Sequence, residues 1–273
     1  MQDPAAQTFV VTGASSGIGR EIAIQLAAPQ RVIWLIGRDQ GRLEEVAGAV
    51  RAKGAVPEIA RMDLTDLDAA ERFLRETFPA GVRVDTVYLV AAVTLFGEVQ
   101  NTLAEDWDKI YRTSLLSPIQ WCRHFYANMV GEKSGHIILV SSLAAYAGYP
   151  TATAYASMKA GLLGLYRSLW HEAKSHGVSI YLASPGYVDT GIYKSAVFRN
   201  TTYEKTMNLI NGLGFRILSA EETARKILSA VNRGKSDFAL PGYASIMKWV
   251  APRMPFLIDI VHSRMVKTFR QIP

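Results

Sequence analysis

The sequence predicts an α/β fold built on a doubly wound parallel sheet, and three observations carry that reading. Short, nearly continuous apolar runs alternate with longer stretches of helical period, the pattern of strands covered by helices on both faces. A glycine-rich turn joins the first apolar run to the first helical stretch. No linker, internal repeat or low-complexity segment divides the 273 residues, so the expectation is a single domain spanning 1–273.

Taken in order, the apolar runs are Phe9-Val10-Val11, Val32–Ile36, Val84–Val90, Ile137–Val140 and Ser179–Ala183. Helical stretches lie between them: Ile18–Ala28, Gly41–Lys53, Asp66–Phe78, Asp106–Met129 and Thr153–His176. This βαβα rhythm favours parallel strands with helical crossovers. Past about residue 185 it falters. Residues 189–216 are rich in aromatic and apolar side chains but poorly periodic, and are expected to form a substrate lid of loop and short helices. Ala220–Arg233 restores a helix, a last strand follows near Phe238-Ala239-Leu240, and residues 243–273 read as a helical C-terminal tail.

Composition excludes several classes of function. Hydrophobic residues make up 49% and charged residues 20%, which permits a large core and argues against disorder. A single cysteine, Cys122, forbids an intramolecular disulfide and fits a reducing compartment. The five histidines are scattered without ligand spacing, so no metal is expected. The net charge of +6 is dispersed, which speaks against nucleic-acid binding. Met1–Gln7 is short and polar, unlike a signal peptide, so a cytoplasmic location is expected.

The first strand runs directly into Thr12-Gly13-Ala14-Ser15-Ser16-Gly17-Ile18-Gly19. Glycines there let the backbone approach a pyrophosphate while the following helix presents its N-terminal amides. This makes the expected fold Rossmann-like and the expected cofactor a dinucleotide. At the end of the second strand, Arg38 favours NADP(H) by pairing with a 2′-phosphate. Its neighbour Asp39 is the competing reading, since an acid would take the ribose diol of NAD.

Tyr155 and Lys159 are four residues apart in a helical stretch and share a face, while Ser142 follows a strand. A tyrosine beside an ammonium suits proton donation to a carbonyl oxygen, and a serine hydroxyl suits holding that oxygen.

Together these residues resemble the short-chain dehydrogenase/reductase family from Thr8 to about Leu240. The resemblance implies an NADP(H)-dependent oxidoreductase with Ser142, Tyr155 and Lys159 as catalytic residues. It also implies cofactor contacts from Gly13, Ser15, Ser16, Gly17, Ile18, Gly19, Arg38, Asp63, Leu64 and Ala91, and from Pro185, Gly186, Val188 and Thr190 in Pro185-Gly186-Tyr187-Val188-Asp189-Thr190. Tyr155 and Lys159 belong to the cofactor set as well. Two departures stand out. The family's Asn-Asn-Ala-Gly appears as Leu89-Val90-Ala91-Ala92, and its catalytic Asn falls on Ser114, which is expected to serve a water relay with shorter reach.

Aromatic and aliphatic residues of the lid region, with Leu143, Tyr146, Tyr149 and Phe96, suit a hydrophobic ketone or its secondary alcohol. The tail repeats Leu257, Val261, Met265 and Phe269 among Arg264, Lys267 and Arg270. It reads as a pocket cover, a subunit contact or an interfacial helix giving peripheral membrane contact. By analogy with the family's interface helices, a homodimer or homotetramer is expected. The alternative functional reading is an NADP-binding regulatory protein with little turnover, motivated by Ser114 and the altered Leu89–Ala92 segment.

Overall fold

The computed structural model describes residues 6–271. The polar opening through residue 5 and the last two residues of the tail lie outside the described residues.

Seven parallel strands form the central sheet: β1 (Gln7–Thr12), β2 (Arg31–Gly37), β3 (Val56–Arg61), β4 (Thr86–Leu89), β5 (Gly135–Val140), β6 (Val178–Pro185) and β7 (Asp237–Leu240). Their spatial order is β3-β2-β1-β4-β5-β6-β7, so the chain winds outward from β1 in one direction and then returns to wind in the other. The order reverses between β1 and β4, where an open α/β sheet leaves a crevice beyond its strand ends.

The alternation within the strands explains the two layers. Phe9, Val11, Ile33, Leu35, Ile138, Val140, Tyr181 and Ala183 pack to one side. There they meet helices α1 (Gly17–Leu26) and α2 (Gln40–Arg51) and, later in the chain, α9 (Ala220–Asn232). Val10, Ile36, Val87, Leu89, Ile137, Leu139, Ile180 and Leu182 point the other way. They pack on α3 (Leu67–Thr77), α5 (Ser117–Glu132) and α7 (Thr153–Lys174), and the one-turn α6 (Ala144–Ala147) lies between β5 and α7 in the chain. Because both faces are buried, both residue sets are apolar, and the strands read as continuous runs rather than alternating ones.

β3 has no counterpart among the apolar runs. It is an edge strand whose side chains are mostly exposed or half-buried, and it carries Pro57, a residue tolerated at a sheet edge. The long helix expected over Asp106–Met129 is interrupted. Helix α4 (Ala104–Tyr111) passes into a wider π-helical turn, Arg112–Leu116, before α5 begins. Pro118 supplies a reason: it lacks the N–H that an α-helix would donate to the Ser114 carbonyl.

The region expected to hold loop and short helices contains a ten-residue helix, α8 (Tyr203–Gly212), capped by the Thr202 side chain. Val197-Phe198 pairs in parallel with Leu95-Phe96. Arg199 forks onto Asp106, with its Nε 2.8 Å and its Nη2 2.9 Å from the carboxylate oxygens. Two helices, α10 (Gly242–Val250) and α11 (Pro255–Gln271), complete the described chain. Within α11, Ile258 and Met265 are buried while Leu257 is exposed, so the inward face is rotated from the simple four-residue repeat.

An aromatic cluster anchors the second layer: Phe125 stands edge-on to Phe78 and tilted against Trp121, and all three are fully enclosed. Phe125→Ala should lower the unfolding free energy by about 3–5 kcal/mol through lost burial and a residual cavity. The exposed edge residue Val56 replaced by Ala should change it by less than about 0.5 kcal/mol. Denaturant titration of the two variants checks both values.

Candidate active site

Two clefts open beyond the carboxyl ends of the strands. The first is floored by the glycine turn. Gly13 (φ +71°) and Gly17 (φ +54°) are left-handed, where a side chain would be strained. A Cβ at Gly13 would also stand 3.0 Å from the Ala91 Cα, and one at Gly17 would stand 3.2 Å from Thr190. Gly19 leaves no room either, because a Cβ there would overlap the Gly13 carbonyl. Ser16 caps α1 without its side chain accepting a bond, so the helix presents first-turn amides to the cleft rather than to its own cap.

The Thr12 hydroxyl fixes the opposite wall by accepting from the Val90 and Ala91 amides at 3.0 and 3.2 Å. Ser15, Ser16, Ile18, Arg38, Asp63, Leu64, Ala91 and Thr190 line this cleft with the three glycines. A backbone cradle at a helix N-terminus, with a cation at its far end, fits a dinucleotide phosphate chain.

The two neighbours at the end of β2 have different environments. Asp39 caps α2, accepting from the Arg42 amide at 3.1 Å, and its other oxygen is 3.3 Å from the Arg42 guanidinium. Arg38 faces the cleft. Asp63 works against a burial penalty, yet hydrogen bonds from Thr65 and the nearby Arg38 and Lys109 charges hold its carboxyl below the usual range.

The second cleft adjoins the first through the shared Ile192. Ser142 and Tyr155 face it, surrounded by Phe96, Leu143, Tyr149, Tyr187, Tyr193, Ile210, Leu213 and Phe215. Met247 of α10 and Val261, His262 and Met265 of α11 close another side, so the tail's inner face serves as a pocket cover. No sequence pattern singles out His262 or Thr94 for this lining. Phe198 stacks on Phe96 with ring centres 5.9 Å apart, Leu209 is buried, and the Tyr146 hydroxyl donates to Asp237 at 3.1 Å.

Beneath the pocket, α7 is joined to the end of β5 in both senses. The Lys159 Nζ donates to the Val140 carbonyl at 2.8 Å, and the Ser141 Oγ donates to the Lys159 carbonyl at 2.9 Å. Lys159 is fully buried, and desolvation pulls its ammonium down to about 7. Burial pushes the Tyr155 phenol up, opposed by its hydrogen bond with Ser142. A neighbouring ammonium would favour the phenolate, but burial outweighs it here, with the Lys159 Nζ 5.6 Å from the phenol ring centre.

Several expected residues sit elsewhere than at the wall of the glycine cleft. Ser114 is enclosed in the π-turn, where its hydroxyl both accepts from the Val93 amide and donates to the Val93 carbonyl, each at 3.2 Å. It braces a loop instead of reaching open space, because its short side chain is consumed by that backbone. The Pro185 carbonyl accepts from the Leu143 amide at 2.8 Å and so holds the residue after Ser142. Gly186 lines the second cleft, and the buried Val188 pairs with Leu218. Among the described residues, no group of three or more His, Cys, Asp or Glu side chains could hold a metal.

The family model described as short chain dehydrogenase matches residues 7–200. The chain belongs to this family. It is a dehydrogenase/reductase, an oxidoreductase on a Rossmann-like α/β fold. Dehydrogenase/reductase SDR family member 7B of Danio rerio is 29% identical over 242 residues, covering 86% of this chain and 77% of that one. A short-chain dehydrogenase from Sphingobium yanoikuyae, in complex with NADPH, superposes with a TM-score of 0.75 at 24% identity, covering 98% of each chain. Another from Burkholderia phymatum, in complex with NAD, gives 0.77 at 21% identity, covering 96% and 95%. At these identities the two structures speak for the fold.

The buried lysine generates a pH prediction. Its folded pKa lies below the ordinary 10.5, so above about pH 7 the unfolded chain binds the extra proton and native stability rises with pH. The unaltered protein should gain melting temperature relative to Lys159→Met as pH increases from about 6 to 9. Parallel melting profiles for the two proteins would contradict the assignment.

Proposed function

We propose that this protein interconverts hydrophobic ketones and secondary alcohols with NADP(H). The observation that carries the proposal is the placement of the Ser142 and Tyr155 hydroxyls in a largely apolar, aromatic-lined pocket, against a glycine cradle. When bound, the nicotinamide would supply the hydride for reduction and accept it in oxidation.

Tyr155 donates its phenolic proton to the substrate oxygen in reduction, leaving a hydroxyl on the former carbonyl carbon. Its raised pKa keeps that proton in place across the neutral range. Ser142 donates a hydrogen bond to the same oxygen, where negative charge develops. Lys159 holds the register of α7 through Val140 and so sets where Tyr155 stands. The apolar walls exclude water and offer no fixed carboxylate or guanidinium to a small charged acid.

Relatives bind either nicotinamide dinucleotide, so the choice of NADP(H) rests on this chain's own side chains. Arg38 is available to a 2′-phosphate, whereas Asp39 is spent as a helix cap. The contacts of Ser15, Ser16, Asp63, Leu64, Ala91 and Thr190 with the cofactor belong to the same proposal.

Two substitutions test it. Tyr155→Phe should reduce turnover of apolar ketones by at least about a hundredfold while NADPH binding, followed by fluorescence, persists. Retained turnover would remove Tyr155 from the proton step. Arg38→Asp should shift relative affinity from NADPH toward NADH by about tenfold or more, the loss of one charge-assisted contact. Equal affinity ratios before and after substitution would reverse the cofactor assignment.

A further inference from the structure

The tail is apolar on two sides. Its inner side lines the pocket, yet its outer side carries large side chains with no cover: Ile246 is 65% exposed, Trp249 56%, Phe256 56% and Ile260 48%. On α11, Phe256 and Ile260 stand opposite the buried Ile258 and Met265, with Leu257 on the flank, as a helical repeat of 3.6 requires. Arg264 and Lys267 continue the same outer stripe one and two turns farther on. Arg253, in the turn between the helices, stacks over Trp249 at 4.9 Å. The face therefore grades from aromatic and aliphatic side chains to exposed cations.

We propose that the outer face of α10 and α11 docks on an anionic phospholipid surface, with Trp249, Phe256 and Ile260 entering the interface. No helix among the described residues is long and apolar enough to cross a membrane, so the contact is peripheral. Apolar side chains that enter the acyl boundary and cations that stay among headgroups are the two parts of interfacial binding. A second copy of the chain suits the face less well. A two-fold contact sets the same patch against itself, so two surfaces that each carry Arg253, Arg264 and Lys267 would repel. Anionic headgroups neutralise those charges instead.

The test is co-sedimentation of the full chain with vesicles of phosphatidylcholine alone or mixed with phosphatidylglycerol. The protein should pellet with the anionic vesicles, and high salt should weaken that binding. The combined Trp249→Ser, Phe256→Ser and Ile260→Ser variant should partition at least about tenfold more weakly. Arg264→Gln with Lys267→Gln should lose the preference for phosphatidylglycerol. All five side chains are exposed, and unchanged melting temperatures would verify that the variants fold. Failure of the unaltered protein to pellet, or equal pelleting of the triple variant, would overturn the proposal. A concentration-dependent dimer in sedimentation velocity, abolished by the triple substitution and unaccompanied by vesicle binding, would assign the face to a second copy.

Discussion

Two hydrogen bonds of opposite sense hold the end of β5 to the middle of α7, and the geometry of the site follows from them. The Lys159 ammonium reaches down to the Val140 carbonyl while the Ser141 hydroxyl reaches across to the Lys159 carbonyl. Ser142 is the next residue along one partner, and Tyr155 lies one turn before Lys159 on the other. Their relative position is thus set by a buried clasp rather than by mobile loops. Burying the ammonium carries a desolvation cost, visible in its depressed pKa. Such a cost is characteristic of sites where stability yields to function.

The rest of the architecture brings partners to that clasp. Reversal of the strand order between β1 and β4 opens the crevice. Thr12 ties the start of the crevice to Ala91, and the Pro185 carbonyl restrains Leu143 from the neighbouring strand. The fork between Arg199 and Asp106 fastens the far wall to α4. Helices α8, α10 and α11 add Ile210, Met247, Val261 and Met265 to the pocket's apolar lining.

Much of this was legible in the sequence because the physical signals were local. Strands buried on both faces read as apolar runs, and a glycine turn between strand and helix leaves a fixed spacing. Tyr155 and Lys159 four residues apart declare a shared helical face. β3 was missed because its exposed edge dilutes that signal and Pro57 argues against a central strand. The π-turn was missed because one proline changes a hydrogen-bond register without disturbing the apolar pattern. Ser114 could be found by motif position, but its bonds to Val93 depend on a loop distant in sequence. The roles of Met247 and His262 depend on how α10 and α11 fold back, which composition does not encode.

The most direct test of the central claim is isotope transfer from NADPH deuterated on one face of the nicotinamide to an apolar ketone, read by mass spectrometry of the alcohol. One deuterium should appear at the carbinol carbon from one labelled face and none from the other. Alcohol formed without label from either face, or label appearing equally from both, would contradict hydride transfer in a pocket ordered by the Ser142, Tyr155 and Lys159 clasp.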